Sequence, residues 1–424
     1  MLVGVIVLGS AAGAAFVAYR LHQSRNIVGS STVEFTTTTA PPPKPPPRSA
    51  LDGVVWPTYG FDNARTREAP FSLPPPYRTV WVWHGQALLE FPPAIAYRRL
   101  FLTTFDGRFV ALDRASGKAL YRWSSGRCGW GSPAVSGGLV FATFIGRRAT
   151  CNDDTPGTDG ELVAFAAHSR RPVIRWRAHV GPTESSPLVA AGLVVIGDWD
   201  GRISAFDVRT GKRRWSFLTE GRVKGSVAAW GGIAYVGSYD GHLYALDLAT
   251  GKLRWRASVQ PRLGSQGTFY ATPAVAYGRV FIGSTDGKEY SYGARTGDLI
   301  WSRGTGSYVY SSAAVADGLV LVGSYDHFFY ALDAATGEVR WRFAADGPIS
   351  GSATVLGNVV FFSTFARSTY ALDLRTGRRI WRFPDGKYSP IVSDGERVYL
   401  VGYGKLYALD PTRRSDSPQA SSGR

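Results

Sequence analysis

Charged and aromatic side chains recur at the same position before most of eight similar stretches of this sequence. Eight short stretches rich in small residues and proline follow one another along the chain, among them GSPAV, ATPAV and YSPIV. The residue three positions before the third member of each stretch is in most cases charged or aromatic. Two carboxylates, two ammonium groups and three aromatic rings gathered in one place would suit a small polar or anionic ligand, or a peptide. Alternatively, Lys–Glu bridges among them would simply fill the space. The eight residues are Glu90, Trp130, Glu184, Lys224, Tyr270, Tyr310, Ser350 and Lys387.

The other reactive residue types form no assembled catalytic or metal site in the sequence. The six histidines show neither an HExxH pattern nor paired spacing, and there is no Gly-x-Ser-x-Gly elbow. Pairs such as Asp240-Gly241 lack the further ligands of a calcium loop, so we interpret them as hairpin turns. Cys128 and Cys151 match no metal motif, and both a disulfide and two free thiols remain open for them. We therefore predict no catalytic and no metal-binding residues.

The elements that would position the eight residues are copies of one short unit. In Ile233–Trp255, a β-rich run is followed by an Asp-Gly hairpin dipeptide, a returning strand, a Thr-Gly turn and the start of a third strand. The unit recurs at intervals of about 40 residues between Tyr77 and Pro411, a spacing typical of propeller blades. The last copy lacks its tryptophan strand, which Trp81 or Trp83 in TVWVW can supply. The sequence therefore predicts an all-β, eight-bladed β-propeller of four-stranded antiparallel blades, closed by its N-terminal strand.

A tryptophan closes nearly every unit. A large flat side chain that recurs once in each blade is expected to pack between neighbouring blades. The predicted interblade tryptophans are Trp83, Trp123, Trp176, Trp215, Trp255, Trp301, Trp341 and Trp381.

The end of the unit resembles a known repeat family. Ala245–Trp255 has the pattern A-x-D-x-x-T-G-K-x-x-W, which is similar to the tryptophan-docking motif of pyrroloquinoline quinone (PQQ) repeats. The resemblance covers roughly Leu51 to Pro411 and implies the same propeller. The family includes PQQ-dependent dehydrogenases, which hold PQQ and calcium over the channel, and non-catalytic propellers similar to BamB, a lipoprotein of the outer-membrane β-barrel assembly machinery. The dehydrogenases cap the quinone with two adjacent cysteines, whereas Cys128 and Cys151 are far apart. The resemblance therefore favours the BamB-like, non-catalytic branch.

Four further segments flank the predicted propeller of residues 77–411. Leu2–Tyr19 carries no charge and is just long enough to span a bilayer as a helix, so residues 1–25 are predicted to be a transmembrane anchor or a cleaved signal segment. Residues 26–50 are expected to be a Thr/Pro-rich linker, because proline withholds its donor from any sheet. Residues 51–76 are an aromatic leader expected to pack on the propeller, and residues 412–424 a disordered tail.

Charge and flanking residues leave several functions open. The formal net charge of +16 suits a polyanionic partner, but it also suits a solvated arginine-rich surface. Arg20 and Arg25 follow the apolar run, which by the positive-inside rule leaves the propeller in the cytoplasm, whereas a proline-rich stalk is commoner outside cells.

We interpret the chain as a single-pass, extracytoplasmic binding or scaffold module without a cofactor, whose partner is a protein, a peptide or an anionic cell-envelope polymer. The alternatives are a PQQ-dependent quinoprotein dehydrogenase with PQQ and calcium, and a cytoplasmic polyanion or nucleic-acid binder, although no nucleic-acid-binding motif supports the latter.

Overall fold

A computed structural model describes residues 2–36, 53–146, 159–264 and 266–412, with side chains from residue 13 onward. The helix α1 (Leu2–Gln23) is followed by β-strands throughout. Among the described residues, no helix is both long and apolar enough to cross a membrane. The transmembrane helix predicted within residues 1–25 is therefore not shown. The predicted tail, apart from residue 412, lies outside the described residues.

The strands are numbered in chain order, and each blade takes four of them. Before the first blade come β1 (Val54–Trp56), β2 (Glu68–Ala69) and β3 (Tyr77–His84). Blades I and II comprise β4 (Ala94–Ala96), β5 (Arg99–Thr103), β6 (Arg108–Asp113), β7 (Ala119–Ser124), β8 (Ala134–Ser136), β9 (Leu139–Phe144), β10 (Gly160–Ala166) and β11 (Ile174–Val180). Blades III and IV comprise β12 (Leu188–Ala190), β13 (Leu193–Gly197), β14 (Arg202–Asp207), β15 (Arg213–Leu218), β16 (Ala228–Trp230), β17 (Ile233–Gly237), β18 (His242–Asp247) and β19 (Leu253–Ser258). Blades V and VI comprise β20 (Ala274–Ala276), β21 (Arg279–Gly283), β22 (Lys288–Gly293), β23 (Leu299–Gly304), β24 (Ala314–Ala316), β25 (Leu319–Gly323), β26 (Phe328–Asp333) and β27 (Val339–Ala344). Blades VII and VIII comprise β28 (Thr354–Leu356), β29 (Val359–Ser363), β30 (Thr369–Asp373), β31 (Arg379–Phe383), β32 (Ile391–Ser393), β33 (Val398–Val401) and β34 (Lys405–Pro411), together with β3.

The blades form the predicted eight-bladed propeller. Each is a four-stranded antiparallel sheet, and β1 and β2 add a fifth strand to blades I and VII. The first strand of each of blades I to VII contacts the first strand of a neighbouring blade, so these short strands surround the central channel. In blade VIII, β3 pairs antiparallel with β34, as the sequence predicted. The ring is thus closed between the beginning and the end of the repeat region.

Indole rings join the blades by a contact that explains the Thr-Gly turn. The ring of Trp215 lies on Gly251 of the next blade, where an added Cβ would be 2.5 Å from the indole. Its Nε1 donates a hydrogen bond of 3.0 Å to the carbonyl of Leu248. Gly251 has a φ of 72°, so the turn needs glycine both for its backbone and for the space its missing side chain leaves. The same packing of a ring on a glycine of the following blade is made by Trp81, Trp176, Trp255, Trp301 and Trp341.

Three blades differ from this contact between a predicted tryptophan and a glycine. In blade VII, the ring of Trp381 lies 5.1 Å from that of Tyr77 in blade VIII. In blade VIII the indole on Gly117 is that of Trp81, and Trp83 is two residues further along the strand. In blade I, Tyr121 occupies the docking register and Trp123 lies two residues beyond it, where it packs on aromatic rings of blade II. Side chains two residues apart on a strand point to the same face. The sequence pattern alone therefore did not distinguish between them.

The leader closes the channel from one end. Backbone N–H groups at the inner edges of six blades donate hydrogen bonds of 2.6 to 2.9 Å to leader carbonyls. Arg65 is fully buried, and its guanidinium donates to the carbonyls of Val227, Pro187 and Tyr59. The leader therefore links most of the ring and seals it at the axis. The donor–acceptor pairs are Tyr97–Gly53, Val135–Pro57, Ala229–Asn63, Val275–Ala64, Val315–Thr66 and Val355–Arg67.

Residues 24–36 form a strap on blades V and VI. Ile27 bridges to Ser302 of β23, and Gly29 donates to the carbonyl of Thr336. The fully buried Arg279 donates to the carbonyls of Val33 and Ala335 and lies 4.9 Å over a phenylalanine ring of the strap. Residues 26–36 were expected to be part of a linker, whereas they pack on the propeller. The proline-rich remainder of that linker, residues 37–50, lies outside the described residues.

Candidate ligand-binding mouth

All eight residues singled out from the sequence line two adjoining cavities at one end of the channel. The outer cavity has a volume of about 710 Å³ and the inner one about 50 Å³. Glu90, Tyr270, Tyr310 and Ser350 line both. We call this region the mouth. Trp130 and Lys387 complete the outer cavity, and Glu184 and Lys224 complete the inner one.

A chain of hydroxyl groups holds the loops of the mouth at one level. The backbone N–H of Ser132 donates to the hydroxyl of Ser186, and that of Ser186 donates in turn to Ser226. The same bond continues from Ser226 to Thr272 and from Thr272 to Ser312, and all four distances are 2.9 Å. Sequence reasoning missed this role, although a Ser or Thr recurs in most of the small-residue stretches. Because each loop is bonded to the next blade, the variable residues just before these hydroxyls all face the mouth.

Glu184 and Lys224 form an ion pair within the mouth. Lys224 Nζ lies 3.6 Å from Glu184 Oε1 and 4.4 Å from the centre of the Trp199 ring. Trp199 Nε1 also donates to Glu184 Oε1 at 3.2 Å. This is a Lys–Glu bridge of the kind that the pore-filling alternative invoked, and it neutralises two of the eight residues.

Lys387 has a different environment. Its Nζ lies 5.4, 4.9 and 5.2 Å from the ring centres of Phe365, Tyr388 and Tyr403. Within the part of the chain that the structure describes, no carboxylate lies within 4 Å of this ammonium group. Cation–π attraction therefore holds Lys387 at the wall of the cavity with its charge facing the mouth.

Glu90 favours its protonated form. Burial and the neighbouring Glu184 carboxylate together raise its pKa to about 8, against the opposing effect of Lys387 and Lys224. A carboxyl group with this pKa is largely neutral at pH 7. At neutral pH the mouth therefore holds one neutralised ion pair, a mostly protonated carboxyl and the charge of Lys387.

A collar of aromatic rings encloses the mouth in two tiers. The inner tier includes predicted residues such as Tyr270 and Tyr310, whose ring centres are 4.9 Å apart. The outer tier is formed by the aromatic residue that opens the hairpin turn between the second and third strands of several blades. Sequence reasoning missed this tier, and its signal is the aromatic residue that directly precedes Asp in the turn at Asp106, Asp200, Asp240 and Asp326. The collar comprises Phe105, Trp130, Trp199, Tyr239, Tyr270, Tyr310, Tyr325, Phe365, Tyr388 and Tyr403.

The side chains of the mouth do not fit PQQ with calcium. Calcium requires several oxygen ligands, commonly ionised carboxylates. The two mouth carboxyl groups are Glu184, which is paired with a lysine, and Glu90, whose pKa is raised. Among the described residues, no group of three or more His, Cys, Asp or Glu side chains could hold a metal ion.

Cys128 lies behind the mouth, buried against Ile145 and Trp199. It is disulfide-bonded. The second cysteine of the chain, Cys151, lies outside the described residues, so the Cys128–Cys151 pairing stays a prediction.

Comparison with known proteins gives the family of this fold. Residues 106–309 and 290–414 match the family described as outer membrane protein assembly factor BamB. The BamB of Bordetella pertussis is 32% identical over 148 residues, 34% of each chain. The BamB of Burkholderia pseudomallei is 29% identical over 140 residues, 31% of this chain and 36% of that protein. Each match spans about a third of the relative's length.

Solved structures that share the fold of this chain include a BamB and a quinohemoprotein dehydrogenase. BamB from Moraxella catarrhalis has a TM-score of 0.64 and 17% identity, covering 81% of this chain and all of that one. Quinohemoprotein alcohol dehydrogenase from Comamonas testosteroni has a TM-score of 0.69 and 16% identity, covering 87% and 82%. Such low identities show the propeller alone. The family match, however, extends over more than half of the sequence, and the chain belongs to the PQQ-repeat β-propeller family described as outer membrane protein assembly factor BamB.

Proposed function

We propose that the chain is a non-catalytic, extracytoplasmic binding or scaffold propeller that captures a partner protein or peptide at its mouth. The observation that carries this proposal is that the channel is a blind cup. Tyr59 of the leader lines the inner cavity, and its hydroxyl lies 2.5 Å from Ser352 Oγ. The leader thus makes the floor, while the aromatic collar surrounds the opening. A cup of this kind favours insertion of part of a partner from one side.

The composition of the collar supports a protein or peptide partner. Tyrosine and tryptophan offer large, rigid and amphipathic contact surfaces and are enriched where proteins bind one another. The matched relatives are named outer membrane protein assembly factors, which is consistent with a scaffold role. An anionic cell-envelope polymer is a second partner, supported by the formal net charge of +16.

We also place the propeller at the outer side of a membrane, tethered through its N-terminal segment. The uncharged run Leu2–Tyr19 supports the tether, and the relatives named as outer membrane protein assembly factors support the location outside the cytoplasm. A reporter enzyme that is active only outside the cytoplasm, fused after the repeat region, should be active in cells. An inactive reporter there, with an active cytoplasmic one, would favour the cytoplasmic alternative.

Site-specific photo-crosslinking tests capture at the mouth. Tyr308 is half exposed at the edge of the collar, with its ring 5.7 Å from that of Tyr310, so a benzophenone side chain can replace it. Arg375, in the turn after β30 at the opposite end of the blades, is the matched control, since its side chain is 75% exposed. Crosslinks to an envelope protein at position 308 but not at 375 are expected. Equal crosslinking at both positions would contradict capture through the mouth.

The dehydrogenase alternative has its own test. The purified chain is incubated with PQQ and calcium, and quinone absorbance and dye reduction with alcohols are followed. We expect neither a spectral change nor turnover, because the mouth carboxyl groups are paired or protonated. Dye reduction that depends on both PQQ and calcium would overturn the non-catalytic proposal.

A further inference from the structure

We propose that the mouth recognises a carboxylate carried by a peptide beside an aromatic or aliphatic side chain, with Lys387 as the group that binds it. This inference rests on the proposed capture at the mouth and adds the chemistry of the captured group. The starting observation is the contrast between the two lysines of the mouth. Lys224 is neutralised by Glu184 at 3.6 Å, whereas Lys387 contacts three aromatic rings and, among the described residues, has no carboxylate within 4 Å.

The charge of the mouth points to an anion. The Lys224–Glu184 pair contributes no net charge, and Glu90 is mostly protonated at pH 7. Lys387 then leaves the cavity positive. Arg367 adds a second cation at the edge, where its guanidinium lies 3.9 Å over the ring of Tyr403. A carboxylate that enters a partly desolvated cavity next to such a lysine gains an ion pair and loses less to competing water than it would at an open surface.

The walls of the mouth indicate what carries the carboxylate. The outer cavity of about 710 Å³ is larger than one acidic side chain needs, and aromatic rings line most of its circumference. Phe365 and Tyr388 contact both each other and Lys387, so the cation is embedded in an apolar wall. An acidic residue would therefore bind together with an apolar neighbour. The blind floor made by Tyr59 admits a loop or a chain end.

Two matched pools of capped hexapeptides test this inference. Both have the form X-X-Phe-Z-X-X, with Z being Asp in one pool and Asn in the other, and binding to the full chain is measured by calorimetry. The Asp pool should bind at least about tenfold more tightly, since one ion pair of about 1.4 kcal/mol gives that ratio. Lys387→Met should remove the preference, and Lys387→Arg should keep most of it. Lys252→Met, at an exposed lysine of a distant turn, should leave both affinities unchanged.

The outcomes separate this inference from the proposed function. Equal binding of the two pools, or a preference that survives Lys387→Met, overturns the carboxylate assignment even when crosslinking at position 308 succeeds. Benzoate that binds as tightly as the Asp pool overturns the assignment to a peptide. Should Lys387→Met fail to fold, the salt dependence of the wild type decides. Added salt should then weaken binding of the Asp pool alone, and equal weakening of both pools counts against the inference.

Discussion

Replacing Gly251 by alanine tests whether the blades are joined by close indole contact. Gly251 has a φ of 72°, and an added Cβ would lie 2.5 Å from the Trp215 ring. Two costs follow. An L-residue in the left-handed region costs about 1–2 kcal/mol. Displacing the indole costs about 1–3 kcal/mol of packing and its 3.0 Å hydrogen bond to Leu248, worth about 1 kcal/mol.

Gly318→Ala is a matched control for the first of these costs. Gly318 has a φ of 74° in a turn of blade VI, and nothing lies within 4 Å of an added Cβ. Both variants carry the same backbone strain and the same loss of freedom in the unfolded chain. The difference between them therefore isolates the interblade contact, and we expect Gly251→Ala to be the less stable by about 2–4 kcal/mol.

Urea unfolding followed by tryptophan fluorescence measures this difference. The midpoints are compared only where the slopes agree, because a ring of repeats need not unfold in one step. Equal destabilisation of the two variants, within about 0.5 kcal/mol, would refute the reasoning. It would mean that the indole moves aside freely, and that the turn glycine serves its backbone alone.

Three further changes have definite expected results. The pKa of Glu90 is raised in the folded protein to about 8 from an ordinary 4.5, so the folded state binds more protons than the unfolded state between these values and stability falls as pH rises through that window. Glu90→Gln should flatten this part of a stability profile measured from pH 4 to 9. An unchanged slope would contradict the assignment. Arg65→Met leaves several leader and inner-strand carbonyls without their buried donor, so it should lower the free energy of unfolding by about 3 kcal/mol and expose residues 53–69 to limited proteolysis. Wild-type protease resistance would show that the leader does not depend on Arg65. Arg279→Met should make the strap of residues 24–36 cleavable by protease, because the buried guanidinium no longer donates to the strap carbonyls. Arg295→Met, at an exposed neighbouring position, is the control and should leave the strap resistant. Equal cleavage of both variants would argue against the buried guanidinium as the group that holds the strap.

Periodic features of this protein could be predicted from the sequence. The Asp-Gly hairpins, the Thr-Gly turns and the tryptophans recur, and recurrence gave the number of blades and the pairing of β3 with β34. The same reasoning brought eight residues to the channel, because each precedes the same small-residue stretch. The period of the repeat therefore predicts which residues lie together in the folded propeller.

Features that occur once could not be predicted in the same way. The route of the leader depends on backbone hydrogen bonds to six blades, which leave no periodic trace in residues 53–69. Burial of Arg279 under the strap depends on carbonyl groups, which every residue has. The choice of Trp81 over Trp83 depends on strand register, which a two-residue alternation leaves ambiguous.

The pairing of β3 with β34 also has a consequence for how the polypeptide is made. Tyr77–His84 leaves the ribosome among the first strands, but its partner Lys405–Pro411 is the last strand of the propeller to emerge. During nearly the whole of synthesis the nascent chain therefore carries one unmatched edge, which other strands can pair with in error. The circle can become continuous only after translation reaches its final blade. Such a chain should acquire its native form late and benefit from a chaperone that shields the waiting segment.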